Sequence, residues 1–410
     1  MTLSAANEKD TVVSGWDGGG INSSCACTPA ATKVVATNKG LIIGKAFIAM
    51  PLRSFTKGTI IPLILLSITC AFPSVGRNPY LHPRFNAYPM TEYNAFGGGL
   101  QQPGENHPIT SLILLLALVF AGAIVFCVLS VFIGLMVTNG SAGIGNLGGF
   151  LSGNTANATF LKIVQGGSSI GMFVFPSLLM GIIEKRQRPY LDFKAPVNPQ
   201  LWFILLGIMF FSAPIFEQTI KLNERLVLPE SLSGMESWMK AKEAELEQLT
   251  RIFLSDTTYW GLFVNLLVVA VIAAIGEEFL FRGCVQGVLM RWFRNPHAAI
   301  WVTAIVFSTI HLQFYGFLPR MLLGALFGYL LLWGKNIWLP VFAHFVNNAT
   351  AVVSAFYLQR QGRSLDDMAF SEQIPSYLYF ISFVLTGVLL YQYHKTATEK
   401  NTRRHGKTLG

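Results

Sequence analysis

Long apolar runs, separated by short polar stretches, dominate the chain from residue 109 onward. A membrane-spanning helix needs about 20 mainly apolar residues, and several of the runs reach or approach that length. The pattern predicts an all-α protein, a polytopic membrane helix bundle of about eight transmembrane helices. The apolar segments are 109–138, 166–183, 201–216, 259–291, 298–312, 317–333, 337–356 and 374–393.

The N-terminal part lacks this pattern. Residues 1–49 are polar, rich in small side chains and aperiodic, which is typical of disorder; an over-long gene start, with Met50 as the initiator, would explain them. An apolar run then follows, which predicts a signal-like segment or a short helix before an irregular linker. We therefore expect a leader at 1–58, this short segment and linker at 59–108, a membrane domain at 109–394 and a basic cytoplasmic tail at 395–410.

A polar insert at 217–257 interrupts the apolar segments. Its portion Glu230–Phe253 is rich in Lys, Glu, Ala and Leu, residues with high helix propensity. We predict a surface or interfacial amphipathic helix there. The sequence shows no inverted repeat of the kind that marks many transporters.

Composition supports an integral membrane protein, because 52% of the residues are hydrophobic and only 12% are charged, against about 25% charged in soluble domains. The net charge of +9 does not indicate nucleic-acid binding, since the basic residues are scattered over loops and the tail. Five cysteines form no disulfide framework, and Cys25-Ala-Cys27 lacks the spacing of a zinc or redox site.

Lysine and arginine predict the orientation, because cytoplasmic loops carry an excess of both. If the eight segments alternate, the basic loops and the tail fall on one side of the bilayer. We therefore expect a multi-pass protein of the plasma (inner) membrane with both ends of the domain in the cytoplasm. The bases used are Lys185, Arg186, Arg188, Lys194, Arg291, Arg294, Lys335 and those of the tail.

Ionisable residues interrupt three of the apolar segments. Glu277, Glu278 and Arg282 lie on the fourth, His311 ends the fifth, and His344 with Asn348 lies on the seventh. Each alone has a structural explanation: a buried ion pair, an interfacial histidine, or a hydrogen bond between helices. Together they indicate a site, because ionisable groups at membrane depth are costly and usually functional.

Counting residues brings the groups together. If the fourth and fifth segments form a hairpin that turns at Asn295-Pro296, Glu277 and His311 both lie roughly 20 Å from the turn at about 1.5 Å per residue. Glu278 and Arg282 share a helix face, as do His344 and Asn348. Glu277 points about 100° away from Glu278, so it is left to face water.

This set suits hydrolysis of a peptide bond. A carboxylate in a low-dielectric cavity becomes a usable general base, and His and Asn side chains can stabilise an oxyanion. No Ser or Cys stands in a recognisable triad, so a covalent route is not indicated.

Three motifs, in order, resemble the CPBP family of CAAX proteases and bacteriocin-processing (Abi) proteins, which includes the type II CAAX prenyl endopeptidase. They read Glu277-Glu278-Phe-Leu-Phe-Arg282, Phe307-Ser-Thr-Ile-His311 and His344-Phe-Val-Asn-Asn348, and the resemblance covers 259–356. It implies an intramembrane endopeptidase of membrane-associated or lipidated substrates, with its site open to the cytoplasmic side.

The resemblance also implies roles. Glu277 would be the general base, Glu278 with Arg282 would support it, and His311, His344 and Asn348 would bind water and the oxyanion. Zn²⁺ held by Glu277, His311 and His344 is possible, but there is no His-Glu-x-x-His motif, so a metal-free route without cofactor is favoured.

Two alternatives remain open. One is a catalytically silent scaffold or bacteriocin-immunity protein of the same family, which would be expected to carry a damaged motif. The other is a proton-coupled transporter, since membrane acids and histidines also form proton relays. The sequence does not identify the substrate.

Overall fold

The structure, a computed structural model, describes residues 36–37, 40–41, 106–138, 157–184, 191, 193, 197–225, 228–363 and 375–407. Strands β1 (Ala36–Thr37) and β2 (Gly40–Leu41) form one short antiparallel pair. They lie in a unit separate from the helical one, which spans Phe85–Gly410. The rest of the predicted leader, with the signal-like segment and most of the linker, lies outside the described residues.

All regular structure in the described part of the second unit is helical, which confirms the all-α class. Six helices of the described residues are long and apolar enough to cross a membrane, and a seventh, Pro296–Thr309, is apolar but shorter. A bundle of about eight membrane helices agrees with this. The helices are α1 (Pro108–Val137), α2 (Ala158–Ile183), α3 (Pro199–Glu224), α4 (Ser233–Leu254), α5 (Tyr259–Phe293), α6 (Pro296–Thr309), α7 (Phe317–Gly334), α8 (Trp338–Arg360) and α9 (Ser376–Lys407).

Local sequence explains where the hairpin of α5 and α6 turns. Arg294 ends α5 in the left-handed conformation, with φ of 52°. The side chain of Asn295 then accepts hydrogen bonds from the backbone N–H groups of His297 and Ala298, and Pro296 occupies the first turn of α6. Asparagine at the N-cap followed by proline is a strong helix start. The predicted turn at Asn295-Pro296 is therefore present.

Thr258 caps the start of α5 by accepting a hydrogen bond from the N–H of Gly261 at 2.9 Å. Its own hydroxyl and N–H donate to Asp256 at 2.7 and 2.9 Å. These two bonds favour the ionised carboxylate, so the pKa of Asp256 lies below its usual value. The junction between the insert and the membrane helix is thus fixed by a short local network.

Several helix boundaries differ from the predicted ones. Helix α2 begins at Ala158 rather than 166, because buried Lys162 interrupts the apolar run while its ammonium lies 5.8 Å from the ring centre of Phe253 in α4. Helix α3 continues through Pro214 to Glu224, and α9 continues beyond 393 to Lys407. The insert helix agrees with its prediction, since a 3-10 turn and α4 together cover Glu230 to Leu254.

Arg291 does not occupy the turn position assumed in the orientation argument. It is buried in the last turns of α5, where its Nη2 donates to Ser111 at 3.0 Å and lies 3.7 Å from a carboxylate oxygen of Glu184. Ser111 also donates to Glu184. Arg291 therefore ties the ends of three helices together and gives no information on which side faces the cytoplasm.

The three motifs lie on α5, at the end of α6 and on α8, and these helices and α7 contact the remaining membrane helices. Helices α1 and α2 pack on α5, whereas α3 packs on α7 and α8 and also contacts α9. The largest buried cluster lies on this second side, and it includes Leu205, Ile208, Phe327, Leu330 and Tyr393. The motif residues are thereby enclosed by protein rather than exposed to lipid.

Candidate functional site

Helix α5 departs from α-helical geometry on both sides of the acid pair. The short α-helical stretch Ala273–Glu278 lies between two π-helical segments, Leu266–Ile272 and Phe279–Val285. Such segments are rare and occur frequently at functional sites. No feature of the sequence analysis predicted them.

Glu278 and Arg282 form the buried ion pair that their spacing predicts. Arg282 Nε lies 3.0 Å from Glu278 Oε2, and both side chains are 0% exposed. The guanidinium also donates to the carbonyl oxygen of Gly324 at 3.2 Å and lies 4.5 Å from the ring centre of Phe307. Aromatic faces attract a guanidinium, so Arg282 is held from several directions.

His344 joins this pair to the second acid. Its Nδ1 lies 2.8 Å from Glu278 Oε1. A carboxylate only accepts hydrogen bonds, so in the neutral ring the proton lies on Nδ1 and Nε2 carries a lone pair. That Nε2 lies 3.8 Å from Glu277 Oε2. Glu278 therefore fixes which nitrogen of His344 faces Glu277.

His311 is oriented by the same logic. Its Nδ1 lies 2.7 Å from the carbonyl oxygen of Phe307, which can only accept, so this contact also leaves the lone pair on Nε2 of the neutral ring. His311 Nε2 lies 3.9 Å from Glu277 Oε2. The two side chains are therefore adjacent, as predicted from the equal distances of Glu277 and His311 from the hairpin turn. Three acceptors, from Glu277, His311 and His344, converge on one point.

Such a point suits a water molecule. A water has two protons, and it can donate them to two of three converging acceptors while its oxygen stays free to react. The carboxyl of Glu277 is 14% exposed and His311 is 28% exposed, whereas Glu278 is enclosed. Of the two neighbouring glutamates, Glu277 is therefore the one that is accessible to water.

Asn348 lies on the same face of α8 as His344, but its polar atoms bond elsewhere. Its Nδ2 donates to the carbonyl oxygen of Val269 at 2.9 Å, and its Oδ1 accepts from Asn347 at 3.1 Å. No hydrogen bond joins Asn348 to Glu277 within the described residues. One of its two amide protons has no protein partner there and remains free to donate.

Helix α7 supports the site through two glycines that the sequence analysis missed. Arg282 Nη2 donates to Gly324 O, and one turn later Gln286 Nε2 donates to Gly328 O at 3.3 Å. A Cβ on Gly328 would lie 2.8 Å from Ile300 of α6. The spacing Gly-x-x-x-Gly, which lets helices approach closely in membranes, was the available signal.

Arg320 is a further residue that sequence reasoning missed. It lies in the first turn of α7, and its Nη2 donates to Gln313 Oε1 at 2.5 Å. Its positive charge acts on Glu277 and on Glu243 of α4. The motif pattern gave no hint of it because Arg320 belongs to none of the three motifs.

An apolar groove lies beside the acids. It has a volume of about 300 Å³ and is lined by apolar side chains alone. On α5 it begins two residues before Glu277, and on α8 it includes the neighbour of His344. The lining residues are Trp202, Val271, Ala274, Ile275, Trp338, Val341, Phe342 and Phe345.

The fit to zinc is poor. Ligand atoms about 2.0 Å from a tetrahedral ion lie about 3.3 Å apart, whereas Glu277 Oε2 lies 3.8 and 3.9 Å from the two histidine nitrogens. Among the described residues, no group of three or more His, Cys, Asp or Glu is arranged to hold a metal ion. The set Glu277, His311 and His344 therefore does not match a zinc site as placed.

Fold and site together define a multi-pass membrane protein with an enclosed glutamate–histidine centre. Residues 259–350 match the family model described as type II CAAX prenyl endopeptidase Rce1-like. This confirms the relationship to the CAAX proteases, over the segment that contains all three motifs. No curated protein and no solved structure gave a significant match.

Proposed function

We propose that this chain is an intramembrane endopeptidase that hydrolyses a peptide bond near the C-terminus of a lipidated protein, with water activated by Glu277. The single observation that carries this proposal is the convergence of His311 Nε2 and His344 Nε2 on Glu277 Oε2, at 3.9 and 3.8 Å. The family match, which names a CAAX prenyl endopeptidase, supports the reaction class.

The proposed reaction uses this chain's residues alone. A water held between Glu277 and one histidine gives a proton to Glu277, and the hydroxide attacks the scissile carbonyl carbon. The free amide proton of Asn348 is the candidate donor to the oxyanion. When the tetrahedral intermediate collapses, Glu277 returns its proton to the leaving amine, and the C–N bond breaks.

Glu278 and Arg282 act through His344 in this scheme. Arg282 pairs with one oxygen of the Glu278 carboxylate, and the other oxygen accepts the hydrogen bond from Nδ1 of His344. His344 then presents an acceptor to water. They are positioning residues, because neither reaches the reacting atoms.

The apolar groove supports a lipidated substrate. A wholly apolar cavity of about 300 Å³ cannot bind a peptide backbone well, because backbone N–H and C=O groups need partners. It suits an isoprenoid chain, which has none. We place the lipid of a prenylated C-terminus there.

The test is cleavage of a farnesylated peptide ending in a Cys-a-a-X sequence by the purified protein in lipid nanodiscs, followed by mass spectrometry. Wild type should release the terminal tripeptide, and Glu277→Gln should not. Glu245→Gln serves as the matched control because Glu245 is exposed on α4. Failure of wild type to cut prenylated peptides of any a-a-X sequence would overturn the proposal.

The membrane orientation also remains a proposal. It now rests on the basic residues other than Arg291, and it predicts that the turn at Arg294 faces the cytoplasm while α4 faces the other side. Arg320 lies near α4, because its charge acts on Glu243, so this orientation opposes the cytoplasmic opening of the site that the resemblance implies. Thiol labelling of intact cells should then modify a single cysteine introduced by Lys240→Cys but not one introduced by Arg294→Cys. The reverse labelling pattern would invert the topology.

A further inference from the structure

The guanidinium of Arg320 is held by neutral groups only. It is partly buried, and besides Gln313 Oε1 its hydrogen bonds go to the carbonyl oxygens of Gln313 and Gly316, at 3.4 and 3.5 Å. Among the described residues no carboxylate lies within 4.0 Å of it. Arg282 provides the contrast, since it is paired with Glu278 at 3.0 Å.

Arginine without a paired anion, set inside a membrane protein, is costly. Its planar group donates several hydrogen bonds in a fixed geometry that matches a carboxylate, and it does so better than lysine. The bonds to Gln313 hold this group in place without neutralising it. Arg320 is therefore oriented to bind an anion, and no carboxylate of the described residues is in direct contact with it.

Arg320 is near the reacting groups. It precedes Gly324, whose carbonyl binds Arg282, by one helical turn, or about 6 Å along α7. Its side-chain partner Gln313 is two residues from His311. The charge of Arg320 acts on both Glu277 and His311. A ligand could therefore contact Arg320 and Glu277 at once.

A C-terminal tripeptide is long enough to extend well beyond the scissile bond. Three extended residues span about 10 Å, and a Cys-a-a-X chain has its free α-carboxylate three residues after the prenylated cysteine. If the scissile bond of the peptide lies at Glu277, that carboxylate can reach the N-terminal end of α7, where Arg320 lies. The negative charges of Glu277 and Glu243 would repel it there if Arg320 did not compensate.

We propose that Arg320 is a specificity-determining residue that binds the free C-terminal carboxylate of the substrate. This inference rests on the proposed endopeptidase function. It explains how the position of the cleaved bond relative to the C-terminus would be selected. Arg320 binds the carboxylate and the apolar groove binds the lipid, so that a bond between these two groups lies at Glu277.

The experiment compares two farnesylated peptides of one sequence, one with a C-terminal carboxylate and one with a C-terminal carboxamide. For the wild type in nanodiscs, kcat/KM should be about tenfold or more higher for the acid, as expected for a charge-assisted pair. Arg320→Gln should reduce this acid-to-amide ratio to near one. Arg320→Lys should restore part of it, since it keeps the charge without the bidentate geometry.

The control is Arg225→Gln, which makes the same change at an exposed position at the end of α3 and should leave the ratio as in the wild type. If Arg320→Gln lowers cleavage of both peptides equally, Arg320 acts on Glu277 or on folding, and the inference is wrong. A wild type that does not discriminate also overturns it. The proposed function fails separately, by absence of cleavage of either peptide.

Discussion

Two buried carboxylate–arginine pairs occur among the described residues, and they differ in their neighbours. Glu278 with Arg282 adjoins His344 and, through it, Glu277. Glu184 with Arg291 adjoins the hydroxyl of Ser111 and the side-chain amide of Asn106. Within the described part of the chain, the first pair has a second acid and two histidines nearby, and the second contacts a hydroxyl and an amide group.

The difference shows that a buried ion pair is not by itself evidence of chemistry. The Glu184–Arg291 pair closes the ends of α1, α2 and α5, a structural role. The Glu278–Arg282 pair orients a histidine whose other nitrogen faces a partly exposed carboxylate. Under the proposed function, the reacting group is Glu277, which lies outside the ion pair and is partly exposed.

The sharpest contrast is between Glu277 and Glu184. Glu277→Gln should lower kcat by about 10²–10⁴-fold, the range for loss of a general base, with little change in thermal stability. Glu184→Gln should leave kcat of the folded protein near that of wild type. Peptide cleavage and thermal unfolding in detergent test both. Near-normal turnover by Glu277→Gln would remove the distinction between the two pairs.

Loss of either arginine should destabilise the protein. Arg282→Ala and Arg291→Ala each leave a carboxylate buried without its partner, which costs about 3–5 kcal/mol in other proteins. Denaturant unfolding should show both effects. If Arg282→Ala is as stable as wild type, the two groups are not a buried pair.

Replacing both members separates stability from activity. Uncharged residues of similar size in place of a buried pair are often neutral or stabilising. Glu184→Leu with Arg291→Met should therefore regain both stability and cleavage. Glu278→Leu with Arg282→Met should regain stability only, because His344 loses the group that holds its proton. Recovered cleavage in that second variant would show that the pair has no positioning role.

A smaller effect is expected at Asn348. Asn348→Ala removes the bond to Val269 O and costs about 1 kcal/mol, and it lowers kcat by about 10²–10³-fold if its free proton reaches the oxyanion. Asn347→Ala is the control, since Asn347 only donates to Asn348. Equal loss of kcat in both variants would point to local packing instead.

Metal chelation should have no effect on the rate of peptide cleavage. The spacing of Glu277 from the two histidines is too wide for a tetrahedral ion, so the rate of peptide cleavage should survive exhaustive treatment with chelator. A zinc protease treated in parallel controls for removal of the metal. Activity that disappears and returns with added Zn²⁺ would require a rearranged site.

Sequence reasoning succeeded where depth and helix face follow from residue number. An antiparallel hairpin fixes depth by counting from its turn, so Glu277 and His311 could be paired in advance. The i,i+4 rule likewise predicted Glu278 with Arg282. These positions needed no knowledge of which helices are neighbours.

It failed where burial depends on neighbours. In α1 the buried positions include Ser111, Gly122, Ser130 and Gly134, while many large apolar side chains face outward. Lipid and protein core are both apolar, so hydrophobicity does not distinguish the two faces. Burial of Arg291 beside the turn was likewise not foreseen, so it was used as a base for the orientation, and Arg320 was overlooked.

The π-helical segment Phe279–Val285 makes the length of α5 a constraint separate from its composition. Arg282 and Gln286 are four residues apart and bond to Gly324 and Gly328, which are also four apart. Loss of one residue between them would rotate one contact relative to the other by about 100°. Insertions and deletions between these residues should therefore be selected against, even at positions where substitutions are tolerated. The number of residues in this part of α5 is constrained as well as their identity.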